Sequence, residues 1–256
     1  PSVLYVPDIE PGFALKFISK FAHAIALTTE TSKKFYSKTK QLVVTGYPIR
    51  QELKRISKQE AYSIFHLSGN APVLMVYGGS KGAHSINQAI LKNLEELLSK
   101  FEIIHIVGSY DWPLVKELHH NLTEDQKKRY KIFPYLHEEM SAAFSCADLV
   151  ICRSGASTLG ELPFFGLPAI LVPYPYAWRY QKTNAQYLVD NQAALLIPDE
   201  ELESRLLAEI NQLFETPQKI NDMRSAMRFL AKENAAEQIA KLLIKQSSSE
   251  KKGGLS

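Results

Sequence analysis

Apolar residues along this chain recur with two periods. Short, nearly continuous apolar runs at Ser2–Val6, Ala24–Leu27, Gln41–Thr45, Val73–Tyr77, Phe101–Val107, Tyr130–Pro134, Asp148–Cys152, Pro168–Pro173 and Ala193–Ile197 read as buried strands. Between them lie stretches whose apolar residues fall at helical spacing. These include Phe13–Ala22, Glu30–Tyr36, a helix through Leu98 carrying Ile86, Ile90, Leu94 and Leu97, a polar helical region from Asp111 to Arg129, and Ala185–Asn191. Leu202–Phe214 and Ile220–Lys245 close the series as amphipathic helices. Strand and helix in regular alternation predict an α/β chain built on parallel sheet. The stripe of Phe13, Phe17 and Phe21 is expected in the core or in a partner-facing groove. The turn-rich Ser68-Gly-Asn-Ala-Pro72 marks a boundary, giving units 1–68, 69–236 and 237–256. The opening strand reads as one already under way, so the first unit is expected to be half of a domain begun upstream. The Ser-, Lys- and Gly-rich tail from Gln246 to Ser256 is expected to be disordered.

Two of the strand ends pass directly into small-residue turns and then helices. One turn is Gly78-Gly-Ser-Lys-Gly-Ala83, the other Arg153-Ser-Gly-Ala-Ser157, whose helix must stop near Gly166. Such a junction presents free backbone N–H groups and the positive end of a helix dipole, a natural seat for a phosphate. Gly78, Gly79 and Gly82, and Gly155 with Ala156, let a ligand approach the backbone, and Ser80 adds a hydroxyl. Glu161 lies one helical turn after Ser157, where a carboxylate can accept hydrogen bonds from a ribose. The competing reading is structural: Ser154 or Ser157 caps the helix, and Glu161 is a first-turn acid that suits the dipole. In a doubly wound sheet both turns open at the carboxyl edge of the strands. The acidic residue that follows a dinucleotide-binding turn by about 20 positions is replaced here by Lys100 and Phe101, which argues against a nicotinamide cofactor. A sugar nucleotide fits better, with the loop Arg179-Tyr-Gln-Lys-Thr-Asn184 facing sugar hydroxyls.

Totals narrow the field. With 45% hydrophobic and 22% charged residues the chain has an ordinary globular composition, and a net charge of +3 over 256 residues is too mild for a nucleic-acid footprint. Lys33-Lys34, Lys38-Thr-Lys40 and Lys127-Lys-Arg129 read as solvated faces, with contact to an anionic membrane as the alternative. Cys146 and Cys152 sit in apolar surroundings without metal-ligand spacing and read as small core residues. No run reaches the roughly 18 apolar residues of a membrane span.

Several motifs together resemble the MurG-type N-acetylglucosaminyltransferases. They are Gly78-Gly-Ser-Lys-Gly-Ala83, Ala147-Asp-Leu-Val-Ile-Cys-Arg-Ser-Gly-Ala-Ser-Thr158, Glu161, Gly166-Leu-Pro-Ala169, Val172-Pro173, Gln181 and Asn184-Ala, and the likeness runs from about Leu4 to Lys245. The resemblance implies a GT-B-like α/β fold: a doubly wound parallel-sheet donor domain plus part of a second Rossmann-like domain. It also implies an inverting transfer of a sugar, N-acetylglucosamine by preference, from a UDP-sugar to a lipid-linked acceptor in peptidoglycan synthesis. No cofactor or metal is expected, nucleic acid is not a partner, and the expected location is cytoplasmic, peripheral on the inner face of the cell membrane. Two alternatives stand: a donor-binding unit inactive without a partner supplying the missing half, and a glycolipid synthase using another sugar.

Site roles carry over by position. Arg50, in Gly46-Tyr-Pro-Ile-Arg50, matches an arginine near the nucleotide; Ser80 matches a serine on the diphosphate, and Glu161 the glutamate on the ribose. Leu136 falls near the position whose main chain reads the uracil edge, in a Tyr135–Glu139 segment one residue longer than usual. The Ala156 N–H and Gln181 match groups on the sugar. Two departures bear on specificity: Tyr180 replaces the first of a glutamine pair, and Tyr5-Val-Pro-Asp8 replaces a segment ending in asparagine. The histidine that the family would supply as base lies upstream of Pro1, which leaves Asp8 as the candidate catalytic base. His84 reads as a helix-start residue and His105 as structural.

Overall fold

The computed structural model describes residues 1–37, 40–177 and 179–253. Lys38 and Thr39 of the expected basic cluster, Trp178 of the aromatic loop, and residues 254–256 of the tail lie outside the described residues.

Two parallel sheets organise the chain. The smaller has β1 (Val3–Val6), β2 (Ala24–Leu27) and β3 (Gln41–Val44) side by side in that order, with Val3 level with Ala24 and Ala24 with Gln41. Helix α1 (Phe13–Ile18) joins β1 to β2, and a 3-10 turn at Glu30–Phe35 joins β2 to β3. Helix α2 (Lys58–Phe65) follows; the Ser57 hydroxyl caps it by accepting the Glu60 N–H, and it ends at His66 in the left-handed region.

The larger sheet alternates strand and helix. Its strands are β4 (Val73–Tyr77), β5 (Glu102–Ile106), β6 (Tyr130–Phe133), β7 (Leu149–Cys152), β8 (Ala169–Leu171) and β9 (Ala194–Leu196). The intervening helices are α3 (His84–Lys92), α4 (Leu94–Lys100), α5 (Trp112–His120), α6 (Glu124–Arg129), α7 (Met140–Cys146), α8 (Thr158–Phe165) and α9 (Tyr180–Asp190). Helices α10 (Leu202–Glu215), α11 (Pro217–Phe229) and α12 (Ala235–Gly253) complete the chain. All six strands run parallel in the order β6-β5-β4-β7-β8-β9. The strand order therefore reverses between β4 and β7, the topological switch point of a doubly wound sheet.

The strand runs are apolar on both faces because each face carries helices. Val73, Met75, Val150 and Cys152 face one layer with Ala61 and Phe65 of α2, Phe144 of α7, Leu162 of α8 and Leu188 of α9. Leu74, Val76, Leu149 and Ile151 face the other with Ile86 and Ile90 of α3, Leu206 and Ile210 of α10 and Met223 of α11. Each fully buried side chain of this kind contributes about 1.5–3 kcal/mol relative to exposure, so these runs fix where the turns that follow them stand. Cys146 and Cys152 are buried in the first layer, where desolvation pushes both thiols up to about 12. Helix α12 returns to the small sheet and packs Ile239 and Leu242 on Val3, Tyr5, Ala24 and Ala26.

Three sequence expectations are corrected. The helix expected to run unbroken to Leu98 divides at Asn93, whose side-chain amide donates to the Ala89 carbonyl at 2.8 Å and whose backbone leaves helical values. The tail is helical to Gly253 rather than disordered from Gln246. Of the two placements expected for the phenylalanine stripe, the core is overturned: Phe13, Phe17 and Phe21 are 79%, 61% and 69% exposed, and α1 turns Leu15 toward Val6, Ile25 and Leu27 instead. The small sheet offers α1 a narrow apolar face that one leucine covers.

Candidate functional site

The two glycine-rich turns leave the carboxyl ends of neighbouring strands. Tyr77, the last residue of β4, is level with Cys152, the last residue of β7, so both turns begin at the same height on one edge of the sheet at its switch point. Sheet register alone brings together two segments separated by more than seventy positions. The first turn is locked from below. Gly82 and Gly108, at φ +86° and +83°, interlock so closely that a Cβ on Gly82 would lie 2.2 Å from the Val107 carbonyl oxygen. Both turns are open above: apart from their chain neighbours, neither Gly79 of the first nor Gly155 of the second has a heavy atom within 4 Å of where a Cβ would stand. Backbone N–H groups bordered by open space and followed by helices α3 and α8 can take an anion.

Glu161 is 8% exposed, one turn into α8, with its N–H donated to the Ser157 carbonyl at 2.8 Å. The Ser157 side chain makes no capping bond to the backbone; it bonds the Glu161 carboxyl instead. Ser154, also proposed as a cap, donates its hydroxyl to the Gln181 carbonyl at 2.8 Å. Ser154 thus ties the second turn to the start of the Tyr180–Asp190 helix. Burial holds the Glu161 carboxyl above its ordinary value, while the Ser157 hydrogen bond and Arg50 act in the opposite sense. Arg50 Nη2 stands 3.9 Å from Glu161 Oε1, with Arg50 largely exposed, so the pair is loose. Tyr47 lies beside this pair, its ring packed where a Cβ on Gly160 would fall. A recessed carboxyl beside an exposed guanidinium suits a ligand that brings hydroxyl donors to the one and negative charge to the other.

Residues 73–243 match the family model described as the glycosyltransferase family 28 C-terminal domain. The chain belongs to glycosyltransferase family 28. It is 38% identical to the UDP-N-acetylglucosamine--N-acetylmuramyl-(pentapeptide) pyrophosphoryl-undecaprenol N-acetylglucosamine transferase of Roseiflexus sp. (strain RS-1), over 95% of this chain and 63% of that relative. It is 35% identical to the protein of the same name from Caldanaerobacter subterraneus subsp. tengcongensis, over 95% and 67%. The chain thus spans about two thirds of the length of the curated relatives it matches. The crystal structure of Acinetobacter baumannii MurG superposes with a TM-score of 0.74 at 24% identity, covering 96% of this chain and 67% of that one, and shares the fold.

In this family 28 chain the expected sugar-facing segment forms the start of α9 and grips the loop after β1. Asn184 is fully buried: its Oδ1 accepts the Ile9 N–H at 3.1 Å, and its Nδ2 donates to Asp8 Oδ1 at 2.8 Å and to the Ser154 carbonyl at 3.2 Å. Arg179 pairs with Glu10 at 2.6 Å, Thr183 donates to Glu10 at 3.4 Å, and the Tyr180 hydroxyl abuts Gly12. Gln181 Oε1 accepts the Tyr174 N–H at 2.8 Å. Leu136 is buried in the β6–α7 loop beneath the α2 and α7 layer. Asp8 and the Ser154 turn are therefore bridged by one amide, and Ser80 stands exposed on the first turn.

Two groups escaped sequence reasoning. Arg153 donates from Nη1 to the Val172 carbonyl at 3.2 Å and to Asp199 at 2.5 Å, and from Nη2 to Ser85 at 2.8 Å, tying the ends of β7 and β8 to α3. It lines a cavity of about 950 Å³ over the first turn, together with Lys81, His84, Tyr110, Tyr174 and Gln181. Its place as the first polar residue after a buried strand was the available signal. The other group is a chain of buried polar contacts below His84. Among the described residues no cluster of three or more His, Cys, Asp or Glu is arranged to hold a metal.

Proposed function

We propose that this chain carries the donor side of an inverting, UDP-sugar-dependent hexosyltransferase. In this reading the diphosphate lies against the turns after β4 and β7, Glu161 accepts the ribose hydroxyls, and Arg50 stands near the nucleotide. The Leu136 main chain meets the base, and Gln181 with the Ala156 N–H meets the sugar. The observation that carries it is the level ending of β4 and β7 at the switch point, with a recessed carboxyl one helical turn above the second turn. As the anomeric C–O bond breaks, charge gathers on the departing diphosphate. Fixed N–H groups stabilise that charge without reorganising, and the chemistry needs no metal. Asp8, held by Asn184 beside the Ser154 turn, is the candidate base for the acceptor hydroxyl.

The relatives' names point to N-acetylglucosamine as the sugar and to an N-acetylmuramyl-(pentapeptide) pyrophosphoryl-undecaprenol as the acceptor, which supports the peptidoglycan role that the resemblance implies. A peripheral seat on the cytoplasmic face of the membrane is supported by the exposed Phe13, Phe17, Ile18 and Phe21 with Lys16 and Lys20 among them. Among the described residues no helix is long and apolar enough to cross a membrane. A different donor sugar is favoured by one feature, Tyr180 in place of the family's glutamine and wedged against Gly12. Calorimetry with UDP, UDP-N-acetylglucosamine and UDP-glucose tests both readings. Binding of the N-acetylated sugar in preference to glucose supports the first, the reverse order supports the second, and no response to any uridine nucleotide refutes the donor site.

A further inference from the structure

His84 opens helix α3 at the edge of the cavity over the first glycine turn, and its side chain is 61% exposed. Its Nδ1 lies 2.8 Å from Oδ1 of Asp111, a buried residue at the end of the loop after β5. The other Asp111 oxygen accepts from Asn87 Nδ2 at 2.7 Å, and the same Nδ2 donates to the Val107 carbonyl at 3.0 Å. With both amide hydrogens committed, Asn87 Oδ1 must accept from His105 Nε2, 2.9 Å away. Burial holds His105 down to about 3, so it is neutral; its Nε2 carries the proton and its Nδ1 accepts from the Tyr130 hydroxyl at 2.8 Å. Every donor in this chain therefore points toward Asp111, which is left as acceptor for His84. Neutral His84 then carries its proton on Nδ1, and Nε2 turns a lone pair to the cavity.

We infer that His84, set in this tautomer by Asp111, takes up a proton at Nε2 when a diphosphate enters the cavity and donates that hydrogen to a phosphate oxygen. The inference rests on the donor-site reading above and adds a residue and a proton to it. A lone pair facing a phosphate oxygen is repulsive, whereas an imidazolium between a carboxylate and a phosphate is stabilised from both sides. The other charged or titratable groups around the cavity act in known senses. Lys81 and Arg153 oppose a further positive charge, although Arg153 is neutralised by Asp199. Tyr110, edge-on to the His84 ring at 6.1 Å, and Tyr174 and Tyr176 also border the cavity. In transfer, the electron pair of the broken anomeric C–O bond goes to the diphosphate oxygen. The His84 proton stabilises it there by a hydrogen bond and returns to solvent when the nucleoside diphosphate leaves. Asp111, Asn87 and His105 are positioning residues.

Calorimetric titration of UDP into the full chain, in two buffers of different ionisation enthalpy at the same mildly alkaline pH, measures protons bound per UDP. The expected result is net uptake approaching one proton with UDP and none with uridine, which lacks the phosphates. His84→Gln should abolish the uptake and weaken UDP about tenfold, the scale of one charge-assisted hydrogen bond. Asp111→Asn should reduce the uptake while His84 remains. Uptake unchanged in His84→Gln, or UDP binding without uptake in the parent chain, overturns the inference and leaves the donor site standing. Failure of UDP to bind at all overturns both.

Discussion

Glu161→Gln separates the ligand's requirement for a carboxylate from the fold's tolerance of one. The side chain is 8% exposed, and its neighbours are the Ser157 hydroxyl and a guanidinium 3.9 Å away that is more than half exposed. Desolvation outweighs both, which is why the carboxyl is held above its usual 4.5. The folded state thus keeps this proton longer than the unfolded chain. The contribution is fully present below pH 4.5 and is lost as the pH rises through the raised value. Glutamine has the same shape and no charge, so at neutral pH the variant should unfold at the same temperature or slightly higher. Ribose hydroxyls, by contrast, lose a charged acceptor, which costs about 1.5–3 kcal/mol. At about 1.4 kcal/mol per decade, UDP should bind about 10- to 100-fold more weakly. Isothermal titration at pH 7.5 reads the affinity, and thermal unfolding without ligand reads the fold. Affinity within twofold of the parent, or a loss of affinity matched by a large fall in unfolding temperature, refutes the assignment of Glu161 to the ribose. In the parent chain, UDP affinity should also fall as the pH is lowered toward the raised value, because the protonated carboxyl is a weaker acceptor; Glu161→Gln should flatten that slope.

Gly82→Ala should destabilise the chain by more than about 2 kcal/mol, since it demands a left-handed backbone and a Cβ 2.2 Å from the Val107 carbonyl oxygen; denaturant unfolding measures it. Gly155→Ala meets open space, so it should unfold normally and still lose UDP affinity in the same titration. Asn184→Ala removes two buried hydrogen bonds and one part-buried one and should cost about 2–4 kcal/mol, read as a fall in unfolding temperature that UDP only partly restores. Phe17→Ser with Phe21→Ser, both exposed, should leave stability unchanged and reduce sedimentation with anionic phospholipid vesicles; undiminished sedimentation refutes the membrane role of α1.

The strand-turn-helix junctions were legible because parallel strands buried on both faces read as unbroken apolar runs, and because a turn that approaches its neighbours closely needs small residues. That Glu161 lies in the first turn of α8 followed from helical spacing. Relations across the sheet were not legible. His84 and Asp111 are 27 positions apart and meet only because β5 lies beside β4, so that the turns leaving both strands share one edge. Arg153 and Asp199 meet for a similar reason, at the ends of β7 and β9 on either side of β8. The phenylalanine stripe marks the opposite limit. Periodicity put Phe13, Phe17 and Phe21 on one face of a helix to Ala22, but α1 ends at Ile18 and leaves Phe21 in the turn beyond it, and whether the phenylalanines are covered depends on the small sheet, which no local pattern encodes.

The grip of α9 on the loop after β1 couples two parts of the site that sequence reading treated separately. Asn184 ties Asp8 and Ile9 to the Ser154 carbonyl, and Ser154 in turn binds the Gln181 carbonyl. A shift of the small sheet relative to the large one must stretch these bonds or carry the second turn with it. Replacing a buried amide with three partners by solvent costs more than a surface ion pair such as Arg179–Glu10 returns, so the cheaper motion moves the loop, α9 and the turn as one body. The candidate base and the candidate sugar contacts would then keep their mutual distance while the nucleotide side, held by the loose Arg50–Glu161 pair, adjusts around the ligand. In the proposed inverting transfer, base, anomeric carbon and leaving group must be held in line, and the shared amide between Asp8 and the second turn would set the proposed base against the proposed diphosphate seat within the fold itself.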